Sequence, residues 1–116
     1  MKCKKLVMGL ILTIVPTMSL SSIVSSTKIT QILSGPNYAG KVFIALSIPP
    51  NATKASCNTN STWTYVFDPS TSIGQVTLGL VLSAHATKSN VKIEGYNNCT
   101  IHSGVENLKY FQILQN

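Results

Sequence analysis

Hydrophobic positions along the chain are grouped in short blocks, and the period within each block predicts its element. Residues 6–15 are apolar almost throughout and follow Lys2, Lys4 and Lys5. Residues 28–34 (KITQILS) alternate weakly and read as a strand, closed by the turn residues Gly35, Pro36 and Asn37. Residues 41–48 (KVFIALSI) carry the strongest strand pattern, with Val42, Ile44 and Leu46 on one face, and Pro49-Pro50 ends it. In residues 62–67 (TWTYVF), Trp63, Tyr65 and Phe67 alternate with Thr62, Thr64 and Val66, which predicts a third strand. Residues 91–95 (VKIEG) and 108–114 (LKYFQIL) supply a fourth and a fifth.

Residues 70–87 fit two periods. At period two, Val76, Leu78, Leu80 and Leu82 face Gln75, Thr77, Gly79 and Ser83. At the helical period, Ile73, Val76, Leu80 and Ala84 form one stripe, and Leu78, Val81 and Leu82 an adjoining one. Helix is favoured by the length of the run, by a capping box at Ser72 and Gln75, and by the ending at Lys88 and Asn90. Two apolar stripes are more than one sheet-facing side requires, so the second is expected to meet a neighbouring subunit. The order β-β-β-α-β-β is that of an OB-fold. The expected fold class is therefore mainly β with one helix, a five-stranded OB-like barrel.

Charge sharpens the reading of the first block. The chain of 116 residues carries nine Lys and Arg, all of them lysine, against three acids, for a net charge of +6. Three of those lysines precede residues 6–15 as a charged n-region precedes an apolar h-region, the pattern of a secretory signal peptide. Small residues follow, and Val24-Ser25-Ser26 places cleavage near Ser26, with Ser22 as the alternative. Residues 1–26 are then signal peptide and 27–116 the barrel domain, secreted or periplasmic, with no stable membrane anchor after cleavage. The remaining charge, about +3, is scattered and lacks arginine, which excludes a phosphate-tracking surface and with it a nucleic-acid partner. Cys3 leaves with the leader. Cys57 and Cys99 remain and predict one disulfide, worth on the order of 4 kcal/mol by loop entropy.

The strand at 42–48, the Cys57 loop running into Trp63, the passage LVLSAHATKSNVKIEG and Cys99 after it carry a family resemblance. In this layout the chain resembles the small exported OB-fold B subunits of bacterial AB-type toxins, especially the subtilase-cytotoxin and pertussis-like group. It is similar as well to uncharacterised exported bacterial proteins of the same layout. The resemblance implies a homo-oligomeric ring that binds cell-surface glycans and partners a separate catalytic subunit.

Chemistry-bearing residues are few. Asp68, Glu94 and Glu106 are the only carboxylates, and His85 and His102 the only imidazoles. Asp68 before Pro69 reads as a turn residue, Glu94 beside Lys92 as a solvated face, and His85 as a buried or interface histidine. No nucleophile elbow of the G-x-S-x-G kind is present, and neither cysteine has a metal-ligand neighbour at the right spacing. The expected protein has no catalytic residues, no metal and no cofactor. Its candidate ligand residues are Asn58, Asn60, Ser61, Trp63 and Tyr65, which combine aromatic platforms with amide and hydroxyl groups suited to a sugar. Tyr96 before Asn97 and Asn98 repeats the combination on a smaller scale. The alternative is a monomeric periplasmic or secreted accessory or inhibitor protein.

Overall fold

The computed structural model describes residues 22–50 and 53–115. Most of the expected signal peptide, including Cys3, lies outside the described residues. Six strands and one α-helix follow in the order β1 (Ile23–Thr27), β2 (Ile29–Ser34), β3 (Val42–Leu46), β4 (Tyr65–Phe67), α1 (Ser72–Thr87), β5 (Val91–Gly95) and β6 (Glu106–Ile113). A single 3-10 turn, Pro36–Tyr38, joins β2 to β3. The strands form one sheet in the order β1-β5-β6-β4-β3-β2. All pairings are antiparallel except β4 with β6, where Tyr65 stands opposite Glu106.

The mainly β class, the single helix and the Cys57–Cys99 disulfide agree with expectation, the last with Cα atoms 6.0 Å apart. The strand count and the barrel do not. The sheet has six strands where five were expected, and it is not closed into a barrel. The difference lies in residues 23–27, which pair with β5, whereas the sequence reading gave most of them to the leader. Lys28 alone separates β1 from β2, so consecutive strands occupy the two opposite edges of the sheet. Hydrogen bonds brace this break: Ser47 N donates to Lys28 O (2.9 Å) and Ile48 N to Thr27 Oγ1 (3.0 Å).

Alternation along β3 explains the core. Val42, Ile44 and Leu46 join Tyr65, Phe67, Val91, Ile93, Val81 and Ala84 in the main cluster, as the period-two pattern implies. The intervening Phe43 packs instead with Val66 and Val105 in a smaller cluster flanked by Trp63 and Ile101. Thus β3 is buried along its whole length.

The helix begins one residue away from the expected cap. Thr71, not Ser72, is the N-cap, its Oγ1 accepting from Gly74 N at 2.9 Å. A turn at Asp68 sets this start, and only glycine fits at position 74, because a Cβ there would lie 1.8 Å from Asp68 O. Lys88 takes the left-handed C-cap conformation (φ 53°) in place of Asn90. Gly74, Val81 and Ala84 are the helix residues that bury, while Ile73 and Val76 are 78 % and 67 % exposed. One of the two apolar stripes therefore faces outward along much of its length. His85, expected to be buried or at an interface, is exposed in the single chain, with Nδ1 3.3 Å from Ile29 O.

Candidate functional site

The segment between β3 and β4 builds an open cleft. Asn60 Oδ1 accepts from Thr62 N (2.9 Å) and Trp63 N (2.8 Å), a local turn that interrupts the strand expected from residue 62 onward. Both Thr59 N and Asn60 N donate to Gly104 O, at 3.0 Å each, and the Cys57–Cys99 bridge ties the same segment to the loop after β5. A cavity of about 160 Å³ results, lined by Leu46, Pro50, Lys54, Asn58, Asn60, Ser61 and Trp63 among others. That is smaller than the about 300–1,000 Å³ of drug-sized pockets, and it suits one small polar group rather than an extended ligand.

Four of the five expected ligand residues meet here, namely Asn58, Asn60, Ser61 and Trp63. Trp63 is half-buried: it contacts Phe43 edge-on (centroids 6.2 Å apart) and also lines the cleft. Asn58 is only 4 % exposed. Its Nδ2 donates to Thr64 O at 3.1 Å, while its Oδ1 has no hydrogen-bond partner among the described residues. A buried amide oxygen left without a donor costs free energy, of order 1–3 kcal/mol, until a donor arrives.

Tyr65 is the exception and a correction. It is fully buried, with its hydroxyl 2.7 Å from Ser22 Oγ, and it does not line the cleft. The turn at Asn60 is the physical reason: the strand starts only at Tyr65, so the alternation that put Trp63 and Tyr65 on one face does not extend back to Trp63. Burial, together with the nearby Glu106, pushes the Tyr65 phenol well above its ordinary range.

Tyr65 belongs to a second polar group that sequence reasoning missed. Glu106 is fully buried at the start of β6; its Oε1 accepts from Ser22 Oγ (2.6 Å) and its Oε2 from Asn97 N (3.0 Å). Gly95 makes room, since a Cβ there would lie 1.8 Å from Glu106 Oε2. A glycine closing a strand, as in VKIEG, was the available signal for such a close approach. Glu94, its neighbour, takes the other face, 4.0 Å from Lys109 Nζ.

The remaining titratable groups are dispersed. His102 packs on Phe43 (4.9 Å) and Tyr38 (6.0 Å). Asp68 accepts from Ser70 Oγ and pairs with Lys41 (2.9 Å); the Ser70 hydroxyl first, then Lys41, holds its carboxyl well below the usual range. Tyr96 lies over a second, more apolar hollow of about 280 Å³ with Ile73, Ile101, Leu108 and Lys109. Among the described residues, no group of three or more His, Cys, Asp and Glu could hold a metal ion, and no helix is long and apolar enough to cross a membrane. Comparison with family models, curated proteins and solved structures finds no match.

Proposed function

We propose that the chain is an exported, non-enzymatic binding module whose Trp63 cleft receives one sugar residue of a cell-surface glycan. The observation that carries this reading is the unpartnered Asn58 Oδ1 in a cleft that also presents an indole. A turn of the Asn58 side chain toward the cleft would let a sugar hydroxyl donate to that oxygen, and the C–H face of the ring can lie on Trp63. Ser61 and Asn60 line the same cleft and could serve further hydroxyls. Export is supported by the charged n-region and by the disulfide, which suits an oxidising compartment.

The finer reading is a toxin-type B subunit in a ring with a separate catalytic subunit. It rests on the resemblance in layout and on the outward apolar stripe Ile73, Val76 and Leu80. A glycan array probed with the wild type and with Trp63→Phe tests the binding reading; retained binding by the variant, or no binding by the wild type, argues against the cleft. Mass in solution tests the ring. An oligomer that Val76→Asp dissociates supports it, and a wild-type monomer favours the accessory or inhibitor reading instead.

A further inference from the structure

The N-terminal end of the described chain is built into the core. Ser22 is fully buried, its carbonyl accepts from Gly95 N (2.9 Å), and its hydroxyl joins Tyr65 to Glu106. After it, Val24 packs in the main hydrophobic cluster, and β1 pairs with β5 at Ile23–Glu94, Val24–Ile93 and Thr27–Val91. A cut at Ser26 would remove this ladder, expose β5 as a bare edge and take the Ser22 hydroxyl from Glu106. A cut after Ser22 would keep the ladder and still lose the hydroxyl. One residue earlier, the small residues Ser19 and Ser21 stand at −3 and −1, which satisfies the same processing rule.

Glu106 supplies a second, independent argument. A carboxylate has about four acceptor positions. Ser22 Oγ and Asn97 N reach it, and among the described residues no cationic side chain pairs with it. A charge sealed from water is costly unless a counter-charge is close.

We propose that a signal peptidase cuts between Ser21 and Ser22, and that the α-ammonium released on Ser22 becomes the counter-charge of buried Glu106. Water cleaves the amide; the Ser21 carboxylate departs with the leader, and the amine stays on Ser22 and takes up a proton. The proposal rests on the export reading above, and cleavage adds a charge to a polar group whose other contacts are already made.

The first test is the intact mass and N-terminal peptide of the full chain, expressed in an export-competent bacterium and recovered outside the cytoplasm. A chain beginning at Ser22 is the expected result. One beginning at Ile23 or Thr27, or one retaining Met1, overturns the proposal and leaves export standing; a chain found only in the cytoplasm overturns export as well. The second test compares the authentic Ser22 start with a chain carrying one extra glycine before it. The extension is expected to lower the melting midpoint by about 4–8 °C, and to have no effect in Glu106→Gln; equal midpoints in the wild type overturn the pairing. Should Glu106→Gln not fold, a ¹⁵N titration of the Ser22 amine decides instead. A value raised above the usual roughly 7.7–8.0 supports the pair, and an ordinary value refutes it.

Discussion

Trp63 and Tyr65, one residue apart from being neighbours, lie in two polar regions that treat their hydrogen bonds in opposite ways. Around Tyr65, the buried Ser22 and Glu106 side chains are joined to it and to the Asn97 backbone N–H, and Glu106 is fitted against Gly95. Around Trp63, the indole is half-buried beside an open cleft, and Asn58 keeps a buried oxygen without a donor. Polar groups bonded to one another brace a fold; the buried acceptor left over on Asn58, beside a cleft, is what the proposed binding reading rests on. On the proposed reading, the contrast separates architecture from recognition where residue types alone do not.

The largest expected effect breaks the cleft's support. Replacing Cys57 and Cys99 together by serine should cost about 2–5 kcal/mol in denaturant unfolding, with glycan binding lost alongside, since the bridge ties the cleft segment to the loop after β5. Next comes the sealed region: Gly95→Ala places a methyl on the Glu106 carboxylate and should cost about 1–3 kcal/mol while leaving glycan binding per folded molecule unchanged. If that variant folds normally and loses binding, the two regions are not separate.

Tyr65→Phe sharpens the same region by pH. The phenol is raised above its ordinary 10.0 in the folded chain, so the folded state holds this proton more tightly than the unfolded one. Its contribution is fully present below pH 10 and is lost as pH rises further. The variant should lose about 1 kcal/mol at neutral pH and show a flatter decline in stability above pH 10 than the wild type. The smallest expected effect is at the surface. The Asp68 carboxyl is lowered in the folded chain, so its contribution is present above the normal carboxylate range and fades as acid titrates it. Asp68→Asn should lower the urea midpoint slightly at neutral pH and remove that acid-side slope, so that variant and wild type converge as the pH falls.

Much of the fold was legible because local signals agreed. β5 matches its expected bounds, β3 its expected inner face, and the helix its expected last residue, since hydrophobic periodicity is local, while both caps fall one or two residues from where they were expected. β1 was not legible. Its residues, IVSST, are mostly small and polar and follow an apolar run, so they resemble a cleavage region; only pairing with β5, far along the chain, makes them a strand. The cleft was largely legible, because Asn58, Asn60, Ser61 and Trp63 are close in sequence. Tyr65 was misplaced because strand alternation was extended through a turn that Asn60 makes with its side chain.

The most direct test of the contrast is a ¹H–¹⁵N NMR titration of the folded protein with the monosaccharide that heads its best array glycan. The expected result is saturable shifts of the Trp63 indole, the Asn58 and Asn60 side-chain amides and the Ser61 amide, with Gly95 and Asn97 unmoved. Shifts centred on Gly95 and Asn97, with the Trp63 and Asn58 signals unchanged, would contradict it.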